Sequence, residues 1–367
     1  MIKVKFNDFQ SEPIKLKKHM LSSIESVINS GSFILGDQVS KFEEKWAKFC
    51  DVKNAIGVGN CFDAIVLGMQ AMGIGPGDEV ITTPETAFAT SLAIMKLGAT
   101  PVLCDIELST GHMCIDSAQK CVTARTKAVL FVHLYGQAGN LSKWQDFCSS
   151  YKVDFIEDCA QAHGAKFENK PVGTFGTFGA WSFYPTKNLG CLGDGGALIT
   201  NNDEIAKKVG MLRNYGQSKR YYHDVVGINS RLDEIQAAIL NVRINSLEEF
   251  NLRRKEIASM YNENISLDFI EKLSMPEDLN SHVYHLYVVR SKKRKEMMEY
   301  LTSKNIETLI HYPVLINEQK AAKGKVVVPV ELTSAKYHAS TCFSLPCHPQ
   351  MTNQQVMHVI ETINKFE

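Results

Sequence analysis

Short apolar runs alternate with amphipathic stretches between residues 54 and 157, and this alternation constrains the fold more than any other feature. Residues 62–72, 90–97 and 141–151 carry apolar side chains at helical spacing. A strand that alternates with a helix in this way predicts an α/β fold, with a mostly parallel central sheet flanked by helices on both sides. The strand-like runs are 54–60, 79–82, 100–105, 128–135 and 154–157.

The pattern changes near residue 240. Residues 241–263 are charged and helical, and 283–290 alternate like a half-exposed strand. Two amphipathic stretches follow, at 292–304 and 354–365. We therefore expect a large domain over residues 1–244, including the N-terminal segment, and a smaller α+β domain over residues 245–367.

Charge and cysteine content exclude several classes of protein. The 367 residues contain 40 Lys+Arg and 40 Asp+Glu, so a balanced chain gives no electrostatic reason to bind nucleic acid or an anionic membrane. Residues 1–10 lack the long apolar core of a signal peptide or a membrane-spanning helix. The ten cysteines are scattered without a CxxC pair. We expect a reduced, cytoplasmic protein with no metal site.

The first candidate site follows the strand at residues 54–60. Asn60-Cys61-Phe62-Asp63 opens a helix, and a helix N-terminus offers free backbone amides to an anion such as phosphate. An ordinary strand–helix turn is the alternative interpretation. Phe62 stands where a dinucleotide-binding fingerprint would have its third glycine, so that fingerprint is absent.

The second candidate is Asp158, at the carboxyl end of the strand at residues 154–157. Ligands of open parallel sheets bind beyond this edge. An aspartate in this position could instead cap a helix.

The third candidate is Lys187, which lies between an aromatic run at residues 180–184 and a glycine-rich turn at 190–196. A lysine held in a dry site has a lowered pKa and can act as a nucleophilic amine. A surface lysine in a loop is the alternative. Together, an anion-binding helix end, an acid at a strand end and a lysine match what pyridoxal 5′-phosphate requires.

At this point the sequence resembles the sugar aminotransferases of the DegT/StrS type, which share the aspartate aminotransferase fold. The resemblance covers nearly the whole chain. Its most specific stretches are residues 158–164, 181–196 and 227–238, the last with the block Asn229-Ser-Arg-Leu-Asp233.

The resemblance implies roles around the cofactor ring. Lys187 would be the aldimine lysine, which after release moves a proton between the amino donor and the cofactor. Asp158 would pair with the pyridinium nitrogen and stay ionised because that partner is cationic. Gln161 would contact the hydroxyl side of the ring, and Phe88 would stack on it.

The resemblance also implies a phosphate site shared between two subunits. Ser182 would bind the phosphate, and Asn229 would reach it from the neighbouring subunit of an obligate homodimer. Cys61 and Phe62 lie where the family has Gly followed by Thr or Ser. This departure removes a side-chain hydroxyl and leaves the backbone amides to bind the phosphate.

The implied reaction moves an amino group by a ping-pong scheme, with glutamate as the expected donor. Residues 308–313 resemble the branch that aminates carbon 3 of a dTDP-linked 3-keto-6-deoxyhexose, and amination at carbon 4 is the alternative. A Tyr-Pro turn that only packs the small domain, and a Lys-Arg pair that is only solvated, are the structural alternatives. The candidate substrate residues are Tyr184, Lys219, Tyr221, His311 and Tyr312.

Three other classes compete with this hypothesis. A dehydratase on the same scaffold would carry His in place of Lys187. A non-catalytic regulatory protein could retain the fold, although Asp158, Gln161, Lys187 and Asn229 are intact. A nicotinamide oxidoreductase is suggested by the strand–helix alternation alone, and the missing third glycine argues against it.

Overall fold

The computed structural model describes residues 2–276 and 278–366. Its core is a seven-stranded sheet with the strand order β1-β9-β8-β5-β4-β2-β3. Four ladders of the sheet are parallel, and β9 runs antiparallel to both of its neighbours. The strands are β1 (Asn54–Val58), β2 (Glu79–Thr82), β3 (Thr100–Leu103), β4 (Thr126–Val132), β5 (Asp154–Asp158), β6 (Lys166–Phe167), β7 (Lys170–Pro171), β8 (Phe178–Ser182), β9 (Gly196–Thr200), β10 (Gln217–Lys219), β11 (Tyr222–His223), β12 (Glu271–Lys272), β13 (Tyr287–Arg290) and β14 (Cys342–Leu345).

Twelve α-helices surround and follow this sheet within the described ranges. They are α1 (Ile14–Ser30), α2 (Asp37–Phe49), α3 (Cys61–Ala71), α4 (Phe88–Lys96), α5 (Ile115–Gln119), α6 (Leu141–Tyr151), α7 (Asp203–Leu212), α8 (Glu234–Arg243), α9 (Leu247–Asn264), α10 (Arg294–Ser303), α11 (Thr333–Thr341) and α12 (Asn353–Asn364).

Alternate residues of each central strand enter separate cores on the two faces of the sheet, because successive strand side chains point in opposite directions. Val129 and Phe131 of β4 pack in one core with side chains of α2, α6 and α8. Leu130 packs in the other core with α3, α4 and α7. The predicted α/β fold, a mostly parallel sheet with helices on both faces, is confirmed.

The C-terminal part of the chain has its own core. β12, β13 and β14 form an antiparallel sheet, and residues of α9, α10 and α12 pack with it. Val4 joins this core and bridges to Ile306. The division into residues 1–244 and 245–367 stays a prediction, and positions 1, 277 and 367 of those ranges lie outside the described residues.

Three element predictions were wrong in detail. The helix predicted over residues 241–263 is interrupted by a 3-10 turn at Ile244–Ser246. There the Asn245 side chain donates to the carbonyls of Asn241 and Val242, so it competes with regular helix geometry. β4 ends at Val132, before the predicted end at Tyr135, and β13 begins at Tyr287, after the predicted start at residue 283. Tyr135 and Tyr284 have φ of 62° and 43°, which a regular strand does not accommodate.

Two further observations concern membrane-spanning helices and the state of the cysteines. None of the helices in the described ranges is long and apolar enough to cross a membrane. All ten cysteines are free thiols, and nine of them are buried.

Candidate active site

Asp158 lies at the carboxyl end of β5, the central strand of the sheet, and is 5% exposed. Its carboxylate accepts hydrogen bonds from Thr90 Oγ1 at 2.8 Å and from the Ala160 amide at 3.1 Å. Burial raises the pKa of Asp158, while these two donors and the charge of Lys187 act in the opposite direction. A further cation beside the carboxylate would therefore favour its ionised form.

Lys187 lies in the loop between β8 and β9, where its amide donates to the Tyr184 carbonyl at 2.9 Å. Among the described residues its amine has no hydrogen bond or ion pair. Burial of the amine lowers the pKa of Lys187, and the nearby Cys61 and Asp158 oppose this effect. Lys187 in turn acts electrostatically on His311, so the loop brings together parts of the chain that are far apart in sequence.

The N-terminus of α3 faces the same edge of the sheet. Asn60 caps the helix by accepting the Asp63 amide at 2.8 Å. The backbone amides of Cys61 and Phe62 have no intrahelical acceptor, and no other partner is found for them in the described part of the chain. These amides can bind an anion. The Cys61 thiol lies 3.9 Å from Asp158 Oδ1, so the side chain contacts the acid instead.

Ser182 lies next to this helix end. It ends β8 and pairs with Gly196 of β9. A Cβ on Gly196 would lie 2.3 Å from the Asn60 carbonyl carbon, so a glycine is needed where the β9 backbone meets the start of α3. Within the described residues, Ser182 Oγ has a single contact, a long one of 3.4 Å from the Tyr184 amide, so its hydroxyl proton is available to a ligand.

Residues that follow β4 and β5 are hydrogen-bonded to the segment that carries Tyr312. The Gln161 side chain accepts from the Tyr135 amide at 2.6 Å and donates to the Tyr312 hydroxyl at 3.1 Å. His311 Nδ1 lies 2.8 Å from Ser344 Oγ. Burial lowers the pKa of His311 to about 4 and raises that of Tyr312 to about 12, so both rings are neutral near pH 7.

Phe88 begins α4, two residues before Thr90. It is partly buried and packs beside a small core formed by Leu103, Ile316 and Ala322. Because Thr90 bonds to Asp158, the start of α4 places Phe88 close to the acid.

Four predicted residues have exposed side chains. Tyr184 is 52% exposed. Lys219 and Tyr221 lie on the β10–β11 hairpin, where the Lys219 amine lies 4.0 Å from the Tyr222 ring centroid. Asn229 is exposed and bridges to Asn214.

The segment that carries Asn229 runs along α3. Gln70, at the far end of that helix, donates to the Val226 carbonyl at 3.1 Å. Ser230 donates to Asp63 at 2.6 Å and accepts from the Gly59 amide at 3.0 Å, at the near end. Asn229 directly precedes Ser230, so it lies toward the end of α3 that carries the free amides.

Sequence reasoning missed Thr90, Tyr135 and Glu85. Tyr135 follows β4, so the rule that ligands bind beyond the carboxyl ends of parallel strands would have found it. Glu85 follows β2 in the same way. Thr90 lies inside a helix and carries no comparable sequence signal.

Comparisons with known proteins identify similar sequences that match nearly the whole chain. The model of the DegT/DnrJ/EryC1/StrS aminotransferase family matches residues 15–364. The chain is 42% identical to the dTDP-3-amino-3,6-dideoxy-alpha-D-galactopyranose transaminase of Aneurinibacillus thermoaerophilus, over 99% of both chains. It is 39% identical to a pleiotropic regulatory protein of Geobacillus stearothermophilus, over 98% of this chain and 97% of that protein.

A solved structure has a very similar fold. The crystal structure of S. venezuelae DesV in complex with a ketimine intermediate has a TM-score of 0.95 to this chain. It is 36% identical and covers 100% of this chain and 98% of its own.

Proposed function

The chain belongs to the DegT/DnrJ/EryC1/StrS aminotransferase family, and from this premise we propose that it transfers an amino group from L-glutamate to carbon 3 of a dTDP-linked 3-keto-6-deoxyhexose. The observation that carries the proposal is 42% identity, over 99% of both chains, to a transaminase named for a dTDP-3-amino sugar. Lys187 in the candidate site argues against the dehydratase alternative, which would need His at that position.

The residues present fit pyridoxal 5′-phosphate. The free amides of Cys61 and Phe62 and the hydroxyl of Ser182 would hold the phosphate. Asp158 would pair with the ring nitrogen, since burial raises the pKa of this carboxylate and a cationic partner would favour its ionised form. Gln161 would contact the ring hydroxyl, and Phe88 would cover the ring face.

When bound, this cofactor supplies an electron sink for negative charge at the substrate carbon and carries the amino group between the two half-reactions. Lys187 supplies the proton transfers. Because burial lowers the pKa of its amine, the neutral form that accepts a proton is accessible. The amine is also unpaired within the described residues, so no protein partner must be displaced before it acts.

The substrate side of the site would be formed by neutral groups. His311 and Tyr312 have pKa values shifted away from neutrality, so they would contact the sugar as hydrogen-bonding partners without charge. Donor and sugar would use the same site in turn, which gives a ping-pong order.

A second copy of the chain would complete each site. Asn229 is exposed, and the β10–β11 hairpin before it carries Tyr221 and Tyr222, at 76% and 58% exposure. Exposed aromatic side chains on one segment are typical of an interface. We propose a homodimer in which Asn229 of one copy reaches the phosphate in the other, with Tyr184, Lys219 and Tyr221 at the nucleotide end of the substrate.

The ten free thiols support a reducing compartment, so we place this enzyme in the cytoplasm. Fractionation of the source cells would test this location. Recovery in an oxidising compartment would contradict it.

The test of function is an incubation with glutamate and a panel of 3-keto and 4-keto dTDP sugars. We expect a new amine at carbon 3, located by NMR, and release of the keto acid. Amination only at carbon 4 would replace the proposed specificity by its alternative and keep the reaction class.

A regulatory role is the second candidate, because one relative at 39% identity is named a pleiotropic regulatory protein. Absence of turnover with every sugar of the panel, together with the absence of a cofactor spectrum, would favour it. Turnover of any sugar would make catalysis the primary activity.

A further inference from the structure

Asn188 directly follows Lys187 in the loop between β8 and β9, and neither the sequence nor the comparisons assign it a role. Its side chain is buried, with 6% exposure. Its Nδ2 donates to Asn251 Oδ1 at 2.8 Å and to the Val283 carbonyl at 3.0 Å, and its Oδ1 lies 3.1 Å from His285 Nδ1. We call these three contacts the Asn188 network. They join the lysine loop to residues 63, 95 and 97 positions further along the chain.

Two backbone carbonyls fix the direction of the hydrogen bonds in this network. A carbonyl only accepts, so the bond to Val283 identifies the nitrogen of the Asn188 amide, and the oxygen must face His285. His285 Nδ1 therefore carries the proton in its contact with that oxygen. Asn251 Nδ2 donates to the His163 carbonyl at 2.7 Å, which leaves Asn251 Oδ1 to accept from Asn188. Each donor in the network thus has a matching acceptor.

The backbone of the lysine loop makes few other bonds to the rest of the molecule. The amides of Lys187 and Cys191 donate at 2.9 and 2.8 Å to carbonyls of residues 183–184, and these bonds shape the turn without placing it. Further along, the Leu192 amide donates to α8 at 2.9 Å. Asn188 is the neighbour of the lysine itself, so its side chain acts closest to the reactive amine.

The same network reaches the loop that follows β5. His163 lies in this loop, after Asp158, and its carbonyl accepts from Asn251 of α9. A Cβ on Gly164 would lie 2.8 Å from Asn251 Nδ2, so a residue without a side chain is needed where α9 approaches. Asn251 is 6% exposed and binds both loops. The loops of the candidate acid and the candidate lysine are therefore held against one helix.

A lysine that transfers a proton must keep its amine in a fixed place, because a small misplacement of a reacting group slows the reaction strongly. Hydrogen bonds at the adjacent residue limit the motion of the lysine backbone. We propose that Asn188 is a positioning residue whose network holds the backbone of Lys187 where its amine transfers a proton. This role rests on the proposed function, since the place of Lys187 matters for catalysis only if its amine acts.

A purely structural role of the buried amide is the competing explanation. A buried amide with bonded polar atoms contributes to stability wherever it lies. Asn241 on α8 is such a residue outside the lysine loop: it is 9% exposed and donates to the Gln38 carbonyl at 3.0 Å. Asn241→Ala is therefore the matched control for Asn188→Ala.

The first experiment measures hydrogen exchange of the peptide that covers residues 183–192, by mass spectrometry of the full-length protein with and without pyridoxal 5′-phosphate. Asn188→Ala removes the three contacts of the network, so the amides of Lys187 and Cys191 should exchange about tenfold faster or more in both states. Asn241→Ala should leave this peptide unchanged. Equal exchange in Asn188→Ala and the wild type would overturn the proposal.

A pair of variants at His285 separates the hydrogen bond from packing. His285→Asn keeps a donor near the position of Nδ1, whereas His285→Leu removes it. We expect near-wild-type exchange of residues 183–192 in His285→Asn and about fivefold faster exchange in His285→Leu. Equal exchange in the two variants would contradict the network. Both keep the other two bonds of Asn188, so they decide the matter if Asn188→Ala does not fold.

The next experiment asks whether Asn188 acts through Lys187. The half-reaction with L-glutamate is followed as a change in cofactor absorbance, and Asn188→Ala should slow it about a hundredfold. In Lys187→Ala, methylamine can accept and donate the proton without being attached to the loop. Adding Asn188→Ala to Lys187→Ala should change the methylamine-dependent rate by no more than about twofold, since no tethered amine remains to be misplaced.

The outcomes separate this proposal from the proposed function. A loss of about a hundredfold in both backgrounds would mean that Asn188 acts on the whole site, and would overturn the positioning role. If no amino donor reacts with the wild type, the proposed function fails, and the exchange of residues 183–192 still decides whether Asn188 holds the loop. The same exchange comparison decides if methylamine restores no reaction in Lys187→Ala.

Discussion

Thr90 Oγ1 donates a 2.8 Å hydrogen bond to the carboxylate of Asp158, joining side chains 68 residues apart. Thr90 is 1% exposed and lies on α4, whereas Asp158 ends the central strand β5. The bond stabilises the ionised carboxylate against the burial that raises its pKa. A helix on one face of the sheet thus opposes the effect of burial on the pKa of the acid at its edge.

Removing the Thr90 hydroxyl should weaken cofactor binding. Thr90→Val keeps the shape and deletes a bond to a buried acid, a loss of about 1.5–3 kcal/mol in such settings. We expect the affinity for pyridoxal 5′-phosphate to fall about tenfold, measured by titration of cofactor-depleted protein. Ser91→Ala is the control, because the neighbouring Ser91 hydroxyl is buried with no partner among the described residues. Equal effects of the two substitutions would mean that the Thr90 bond does not matter.

Lys187→Ala should abolish turnover, with a loss of about a thousandfold or more, because its amine is the proposed proton carrier. The absorbance band of the lysine-linked cofactor should vanish in the same variant. Lys292→Ala, at an exposed lysine, should behave like the wild type in both measurements. Retained turnover in Lys187→Ala would exclude the proposed mechanism.

Mixed dimers test whether two copies share each site. Asn229→Ala and Lys187→Ala should each be impaired alone. Mixed and allowed to exchange, the two variants would form hybrids in which one of the two sites is wild type. Recovery of about a quarter of wild-type activity is expected for random pairing. No recovery, in a mixture shown by mass spectrometry to contain hybrids, would mean that Asn229 serves its own chain.

Gly196→Ala should disturb the junction of β9 and α3. Its Cβ would lie 2.3 Å from the Asn60 carbonyl carbon and 2.7 Å from the Cys61 amide nitrogen, both backbone atoms that cannot move freely. We expect the free energy of unfolding to fall by about 1–3 kcal/mol and cofactor affinity to fall with it.

Gly210→Ala is the opposite control. Gly210 lies inside α7, and a Cβ there meets nothing within 4 Å. A helix-interior glycine costs about 0.5–1 kcal/mol relative to alanine, so this variant should be stabilised. Denaturant unfolding of both variants checks the pair. Equal stability changes would show that the close approach at Gly196 is not tight.

The sequence predicted the architecture well where the strands are apolar and short. The run at residues 79–82 and the helix at 141–151 have the bounds of β2 and α6. It failed where the local backbone departs from its pattern, as at Tyr135 and Tyr284, whose positive φ keeps them out of a regular strand although they lie in strand-like apolar runs. Periodicity reports which residues prefer burial and not where the chain must turn.

The sequence alone determined that Asp158 ends a buried strand and that Lys187 precedes a glycine-rich turn, because both follow from local patterns. Only the tertiary structure decided which distant groups form hydrogen bonds at this edge of the sheet. Thr90 on Asp158 and Glu85 on Tyr312 join residues far apart in the chain. Such bonds depend on how helices and loops pack at one edge of the sheet, and no local spacing records that distance.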